Sequence, residues 1–407
     1  MSGPGEGLDL DLPGGPDLRL TEPLTEAVAE AERLIAGAPF VRTEQDLLEG
    51  YAYLAGRIRA SVQLAFDHDL DRPVLINSTH QFARQGLDNP DAIYFHAYVK
   101  DDAEYVVRGR RGSTADLSFQ VMDGSYGPSA APGSVAAFDD RALAIGPDGD
   151  FELRFGPARQ GAGPNYFPLG AGAQTLIVRE VYDDWNAEER GTLWIERVDA
   201  AADPAKPLSR SRLAKQYEIA GKLLVGSIKT WFAFPDWFTY QEPVNTLTVP
   251  KSTPGGLESQ FSSIGHYELS DEQALVVTVP RCGNPYQAIQ VGSAWYVSTD
   301  YENHQTSLTV AQSHVDDDGM LRYVVSERDP GIANWLETTG HPRGVMMLRW
   351  QRLDRALTAD DGPRVEVVDF DVLHEKVPEL AAQRVTPDQH AARIAARRQG
   401  VARRMLS

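Results

Sequence analysis

The chain has 407 residues, of which 42% are hydrophobic and 24% are charged, as is typical of ordinary globular proteins and not of disordered or fibrous ones. This length is sufficient for two domains and a full-sized hydrophobic core. The formal net charge of -19 at pH 7 repels phosphate backbones, which argues against nucleic acid as a partner.

Cys282 is the single cysteine, which excludes an internal disulfide framework and a thiolate-cluster metal site and fits a reducing compartment. The first residues lack the basic start and apolar run of a secretory signal. The most apolar later stretch, residues 223–238, contains Lys229, Pro235 and Asp236 and falls short of a membrane span. We therefore expect a cytoplasmic protein with no membrane partner.

Residues 1–20 are rich in Gly, Pro and Asp without apolar periodicity, which predicts a disordered lead. Residues 21–75 are predicted to form helices, and in the second helix Thr43 and Asp46 resemble an N-terminal cap. Apolar residues recur there at helical spacing and predict one packed face: Leu47, Tyr51, Leu54, Ile58 and Val62.

From residue 91 the pattern changes to short runs rich in Val, Ile, Tyr and Phe between Gly, Pro and Asp turns, which is typical of antiparallel β structure. We predict a mainly β fold of two tandem, related β-sandwich or jelly-roll-like modules, with helices before, between and after them. The predicted segments after the N-terminal helices are a first β module at 76–200, a helical connector at 201–245, a second β module at 246–375 and a basic C-terminal helix at 385–407.

The two modules are predicted because residues 91–181 and 261–351 repeat at an offset of 170, which indicates tandem copies of one unit. Asn165 and Asn334 differ by 169, as a one-residue loop deletion would produce. Two such modules could lie side by side about a pseudo-twofold axis. The pairs at the offset include His96 and His266, Arg111 and Arg281, Gln120 and Gln290, and Arg179 and Arg349.

The end of the second copy contains a set of residues typical of one bacterial family: Asp318, Gly319, Met320 and Leu321, then Asn334, Trp335 and Leu336, and finally Leu348, Arg349 and Trp350. In these residues it resembles the bacterial domain-of-unknown-function family twelve-fourteen. The resemblance implies a β-sandwich-like, jelly-roll-type architecture and brings no activity or catalytic residues with it. The sequence departs from the family pattern at Glu337, where a proline usually follows Asn-Trp-Leu.

Polar residues present in one copy only are candidates for function, because the module itself does not need them. Shared residues such as His96, His266, Arg179 and Arg349 are instead interpreted as structural. The candidates present in one copy lie in the polar cluster, which we define as residues 300–307. At the offset of 170 this cluster corresponds to residues 130–137 of the first copy, which are rich in Ala, Pro and Gly.

The candidate catalytic residues are Tyr301, Glu302 and His304 of the polar cluster, joined by His341 from a later loop. A strand through the cluster would place Glu302 and His304 on one face and Tyr301 on the other. Glu302 could then orient the imidazole for acid–base work, or the pair could hold a metal. The alternative is a solvated edge, so we assign no metal site and no cofactor. His314 could also converge on the cluster.

Two further segments have open interpretations. An aromatic run between the modules could wall an apolar ligand cavity, form an oligomer interface or pack on the sheets: Trp231, Phe232, Phe234, Trp237, Phe238 and Tyr240. The C-terminal helix begins with the capping box Thr386 and Gln389, and we expect its arginines, among them Arg397 and Arg398, to meet an acidic face of this chain or of a second subunit.

Two classes of function remain from the sequence. The favoured one is an enzyme that acts on a small, partly apolar or aromatic metabolite by acid–base chemistry, with or without a metal, at the second module. The alternative is a non-catalytic ligand-binding or assembly protein, including a homo-oligomer.

Overall fold

The computed structural model describes residues 19–67, 69–124, 132–198, 207–252, 257 and 260–406. Helices account for 27% and strands for 30% of the chain, and the strands form four sheets. The predicted mainly β fold with helices before, between and after two sandwich modules is confirmed. Residues 1–18 of the predicted lead lie outside the described residues.

Five α-helices are described. The capping pair predicted for the second helix is present, because the Thr43 hydroxyl accepts a hydrogen bond from the Asp46 N–H and the Asp46 carboxylate accepts one from the Thr43 N–H. Its predicted apolar face is wrong at Tyr51, which is 42% exposed, while Tyr53 and Leu54 are buried. The helices are α1 (Glu22–Ala36), α2 (Glu44–Phe66), α3 (Arg210–Phe238), α4 (Leu373–Lys376) and α5 (Pro387–Leu406).

The first module is a sandwich of two four-stranded sheets. Sheet I has the order β1-β7-β3-β4, and sheet II has the order β6-β5-β2-β8. Apolar side chains from both sheets, such as Phe119 and Phe155, form one buried core between them. The strands are β1 (Ala92–Tyr98), β2 (Tyr105–Arg110), β3 (Asp116–Met122), β4 (Ser134–Asp139), β5 (Asp150–Gly156), β6 (Tyr166–Pro168), β7 (Thr175–Val181) and β8 (Thr192–Arg197).

The second module repeats this arrangement. Sheet III has the order β10-β11-β17-β13-β14, with β9 also paired to β11, and sheet IV has the order β16-β15-β12-β18. Its core again lies between the two sheets. The strands are β9 (Thr246–Leu247), β10 (Lys251–Ser252), β11 (Phe261–Glu268), β12 (Gln273–Pro280), β13 (Tyr286–Gly292), β14 (Ser307–Thr309), β15 (Met320–Ser326), β16 (Trp335–Glu337), β17 (Arg343–Gln351) and β18 (Arg364–Asp369).

The pairing register extends the repeat to single residues. Gln120 pairs with Ile177 and Ala137, and Gln290 pairs with Met347 and Ser307, so the offset of 170 holds across β3, β4 and β7. The same offset relates the β2 pairings with β5 and β8 to those of β12 with β15 and β18.

The first strand of each module breaks this register. His96 pairs with Ile177, but the residue that pairs with Met347 is Ile264, so the offset here is 168. The predicted equivalence of His96 and His266 is therefore wrong. A shift of two residues keeps the same side chains on the core face of a strand, so the sandwich tolerates it.

The two sandwiches stack through sheets I and III. Val181 of β7 packs against Tyr286 and Ala288 of β13 at this junction, and these residues alternate along their strands with core residues such as Val178 and Ile289. The layers therefore run sheet II, core, sheet I, junction, sheet III, core, sheet IV. Many junction side chains are polar and buried, including Gln120, Gln290 and Arg349.

The C-terminal helix α5 docks on the second module and starts with the predicted capping box of Thr386 and Gln389. Arg397 donates to the Tyr301 and Ser307 carbonyl oxygens, and Arg398 donates to the Asn303 side chain. The predicted acidic face is therefore wrong for these two arginines. Buried carbonyl groups need donors when a helix covers them, and a guanidinium group supplies five.

Among the described residues, none of the helices combines the length and apolar character needed to cross a membrane.

Candidate functional site

A cavity of about 920 Å³ lies between α2, the loop at residues 81–84 and the connection from β13 to β14. We call it the helix–loop cavity. This volume is within the range of small-molecule sites. The ionisable side chains on its walls are Glu49, Arg59, Arg84, Asp300, Glu302, His304 and His341.

Trp295 anchors the connection from β13 to β14 against α2. Its indole N–H donates to the Asp46 carbonyl oxygen at 2.7 Å, and its ring stacks on Tyr53 with centroids 5.9 Å apart. Gly50 makes this approach possible, because a Cβ atom there would lie 2.3 Å from the Trp295 ring. The helix and the second module thus form one rigid wall with an aromatic surface.

The polar cluster is a turn and not the predicted strand, since β14 begins only at Ser307. Gln290 already pairs with Ser307, and the residues before it leave the sheet to form the cavity wall. Glu302 and His304 line the cavity together with His341. Three of the four candidate residues are therefore brought together.

Tyr301 is the exception. It is buried, its ring packs edge-on against Trp185 at 6.1 Å, and the Arg84 guanidinium lies 5.2 Å from its ring centre. It lines a neighbouring cavity of about 880 Å³ instead. Burial, with a smaller contribution from Asp88, raises the pKa of Tyr301 to about 12. Its hydroxyl is thus protonated at neutral pH, and its packing indicates a supporting role.

The carboxylate that orients His304 is Glu337 and not the predicted Glu302. The His304 Nδ1 atom lies 2.7 Å from the Glu337 Oε2 atom, and the Gln305 N–H donates to Oε1 at 2.7 Å. His390 of α5 lies 3.3 Å from the same Oε1 atom. A carboxylate accepts hydrogen bonds, so Nδ1 donates to Glu337 and directs the Nε2 atom away from this carboxylate.

His341 also lines the cavity and pairs with a carboxylate of another element. Its Nε2 atom lies 2.7 Å from the Glu49 Oε1 atom of α2, and Nδ1 donates to the Thr338 carbonyl oxygen at 2.7 Å. Burial alone would lower the pKa of His341, but the hydrogen bond and charge of Glu49 outweigh it and raise the pKa. His341 therefore ties α2 to the second module.

Two arginines add positive charge to the walls. The Arg84 guanidinium donates to the Ser298 carbonyl oxygen at 3.0 Å, and Arg59 lies over the Phe82 ring at 5.8 Å. Arg84 also interacts electrostatically with the carboxylates of Asp88 and Asp300, and Asp300 lines the same cavity. A guanidinium group on a cavity wall can bind an anionic group of a ligand.

Sequence reasoning missed Glu49, Arg59, Arg84 and Glu337, because they come from segments remote from the polar cluster. The departure from the family pattern at Glu337 was the one signal that pointed to any of them.

His314 does not reach the cavity. It lies 3.4 Å from Asp316 and 3.3 Å from Glu379, and these three residues form the one group of potential metal ligands found among the described residues. Asp316 already pairs with the Arg322 guanidinium and accepts from Gln383. The adjacent positive charge opposes a cation, so this is a hydrogen-bonded network.

The aromatic run divides between two places. Trp231 and Phe234 wall a second, smaller cavity between the modules, while Phe232 packs on Trp295 with ring centres 5.5 Å apart. Phe232 and Tyr240 line a further cavity of about 370 Å³, so these four residues of the run contribute to cavity walls.

The fold and the helix–loop cavity define a mainly β protein in which two stacked sandwiches and a helical layer enclose a polar cleft with aromatic walls. The chain is similar in structure to an uncharacterised protein from Burkholderia cenocepacia, with a TM-score of 0.76 and 27% identity over 87% of this chain and 100% of that one. It also aligns with a protein from Vibrio parahaemolyticus at a TM-score of 0.45 and 12% identity, over 84% and 100% of the two chains. No family model and no curated protein matches the chain.

Proposed function

We propose that this protein is an enzyme in which His304 acts as general base on a small molecule bound in the helix–loop cavity. The observation that carries the proposal is the His304 imidazole, hydrogen-bonded at 2.7 Å to Glu337 and lining a cavity of about 920 Å³. A carboxylate that fixes one ring nitrogen leaves the other ready to take a proton and stabilises the imidazolium that forms.

The walls support one class of substrate. Tyr53, Trp295 and Phe82 offer aromatic surface, and Arg59 and Arg84 offer positive charge beside the carboxylates of Asp300 and Glu302. This combination fits a partly apolar or aromatic molecule that bears an anionic group. Hydrolysis balances with water as its co-reactant. His304 takes a proton from water, the water oxygen bonds to an acyl carbon, the bond between that carbon and the leaving group breaks, and the imidazolium gives its proton to the leaving group.

Glu302 shares this cavity and makes no hydrogen bond or ion pair with a described residue. It can therefore accept a hydrogen bond from bound substrate or from the attacking water.

Comparison of the modules supports a specialised second module. We propose that the two arose by duplication and that the second acquired the site. In the second module Ser326 pairs with Glu337. In the first module Gly156 is the counterpart of Ser326, and it pairs with Pro168. The resembled family also usually has proline here. Glu337, the residue that hydrogen-bonds His304, therefore differs from the proline found at this position both in the first module and in the resembled family.

The test uses p-nitrophenyl succinate, an aryl ester with a free carboxylate. We expect His304→Ala and Glu337→Gln each to lower kcat/KM by tenfold or more, since general bases contribute on the order of 100-fold or more. Arg59→Met should chiefly raise KM. His374→Ala is the matched control, because this histidine is exposed and remote from the cavity.

Folding and function should separate in the double variant Glu302→Gln, His304→Ala. We expect its free energy of unfolding to fall by no more than about 1 kcal/mol, because the Glu337 carboxylate loses its hydrogen bond to His304 but keeps the one from the Gln305 N–H. A double variant that retains the full rate would exclude the site, and saturable binding of the ester without turnover would favour the ligand-binding alternative.

A further inference from the structure

A cavity of about 880 Å³ adjoins the helix–loop cavity. We call it the neighbouring cavity. It lies between α2, the segment at residues 77–82, β1 and the C-terminal helix α5. Arg59, Gln81 and Phe82 line both cavities, so the two spaces meet along a shared boundary.

The side chains at this boundary are accessible to solvent. Phe82 is 54% exposed, and the exposed Arg59 lies over its ring with the guanidinium 5.8 Å from the ring centre. Exposed side chains change rotamer within nanoseconds. A ligand in one cavity can therefore extend past Phe82 into the other.

The backbone at the boundary is held in place, in contrast to the Phe82 ring. Gly56 lets the segment lie against α2, because a Cβ atom there would be 2.8 Å from the Phe82 carbonyl oxygen. The Phe82 N–H donates to the His80 Nδ1 atom at 3.2 Å, and the Ala83 N–H donates to the His80 carbonyl oxygen at 2.8 Å. Burial, and then the charge of Arg59, lowers the pKa of His80, which keeps the ring neutral and able to accept. The fold thus fixes where the two cavities meet.

The polar cluster connects the cavities a second time. Tyr301 lines the neighbouring cavity, whereas Glu302 and His304 line the helix–loop cavity. Arg84, also on the helix–loop cavity, has its guanidinium 5.2 Å from the Tyr301 ring centre. The proposed base and one wall of the neighbouring cavity therefore belong to the same short turn.

Much of the neighbouring cavity has apolar walls. Ile58 and Val62 line it from α2, Ile93 and Phe95 line it from β1, and Val401 lines it from α5. Apolar ligand atoms that cover such surface leave water and gain free energy in proportion to the area covered. These walls fit a hydrocarbon group.

The arginines of the neighbouring cavity interact with groups of the protein. Arg190 interacts electrostatically with Glu180. Arg404 donates to the Pro90 carbonyl oxygen at 2.8 Å and interacts electrostatically with Asp91. A ligand with an apolar body therefore leaves neither guanidinium group unpaired.

We propose that the substrate is an acyl ester with a medium-length aliphatic tail, and that this tail extends past Phe82 into the neighbouring cavity. The inference rests on the proposed function, because it places the acyl carbon near His304. In the reaction the water oxygen bonds to the acyl carbon, the bond to the alcohol oxygen breaks, and the alcohol leaves with the proton from the imidazolium. The tail stays on the carboxylic acid product.

The experiment compares p-nitrophenyl acetate with p-nitrophenyl hexanoate, which has the same leaving group and a tail longer by four methylene groups. Each methylene group removed from water contributes about fourfold to affinity. We therefore expect kcat/KM of the parent protein to be at least tenfold higher for the hexanoyl ester, and an equal kcat/KM for the two esters would overturn the inference.

Variants locate the tail. Val62→Trp and Gln63→Trp each add bulk to the neighbouring cavity from α2, and each should reduce the preference for the hexanoyl ester to threefold or less. The second variant keeps the test valid if the first does not fold. Leu48→Trp is the matched control and should retain the preference, because Leu48 is an exposed residue of the same helix that lines neither cavity. A preference that survives in both filling variants would overturn the inference.

A binding measurement separates this inference from the proposed function. If the parent hydrolyses neither ester, the proposed function fails, and calorimetric titration with sodium hexanoate then tests the tail site alone. Saturable binding that is at least tenfold weaker in Val62→Trp than in Leu48→Trp would support the tail site. Absence of hexanoate binding, or equal affinity in these two variants, would overturn it.

Discussion

Arg397 and Arg398 are neighbours on α5, and the structure predicts very different consequences for their removal. Arg397 is 5% exposed and donates to the Tyr301 carbonyl at 3.0 Å and to the Ser307 carbonyl and hydroxyl oxygens at 2.9 Å each. Its guanidinium also lies 4.5 Å from the Trp185 ring centre. Arg398 makes an exposed hydrogen bond to Asn303.

The expected magnitude follows from these contacts. Arg397→Met deprives buried acceptors of their donor, at about 1 to 3 kcal/mol each, while removal of a buried charge recovers part of the desolvation cost. We expect a net loss of about 3 kcal/mol in the free energy of unfolding. Arg398→Met should change it by less than roughly 0.5 kcal/mol.

The assay is urea unfolding followed by tryptophan fluorescence for the parent and both variants, at low and at high salt. Because Arg397 donates to neutral carbonyl and hydroxyl groups and its electrostatic interaction with Asp91 is buried, the loss of stability should be the same at both salt concentrations, unlike that of an exposed ion pair. Equal losses in the two variants, or a loss that disappears at high salt, would refute this account of how α5 docks.

Two further predictions concern the helical layer. The pKa of His341 is raised in the folded protein, so its stabilising effect is full below the unfolded-state value of about 6.5 and is lost as the pH rises through the folded-state pKa. Glu49→Gln should therefore cost roughly 1 to 2 kcal/mol at about pH 6 and less at about pH 9, and equal unfolding midpoint shifts at both pH values would contradict this. On α3, a Cβ atom at Gly226 meets nothing within 4 Å, whereas one at Gly221 lies 2.8 Å from the Pro23 carbonyl oxygen. Gly226→Ala should raise the free energy of unfolding by up to about 1 kcal/mol and Gly221→Ala should lower it by about 1 to 3 kcal/mol, and melting temperatures that shift in the same direction would oppose the packing described here.

Part of the candidate site could be predicted from the sequence. Comparison of the two copies singled out Glu302 and His304, and both line the helix–loop cavity with His341. The same comparison interpreted Arg179 and Arg349 as structural because both modules have them, and both line the smaller cavity between the modules. A residue that is repeated in both modules can still face a cavity that the two modules build together.

The period of the apolar residues determined the mainly β fold and the helical segments, and the residue types at the helix starts determined the capping boxes. Both features depend on neighbours within a few residues along the chain. The offset of 170 likewise predicted the common register of most strands. Two modules with the same strand pairing keep the same number of residues between paired strands, so equivalent residues stay at a constant offset. The cytoplasmic location and the oligomeric state stay predictions.

Tertiary structure alone decided which groups meet. Glu337 reaches His304 across 33 residues of chain, and Glu49 reaches His341 across 292. Such contacts depend on how α2, β16 and the connection from β13 to β14 pack together, and local periodicity carries no information on that packing. For the same reason the offset of 168 between β1 and β11 could not be read from the sequence, because strand register is set by the partner strand and the buried face.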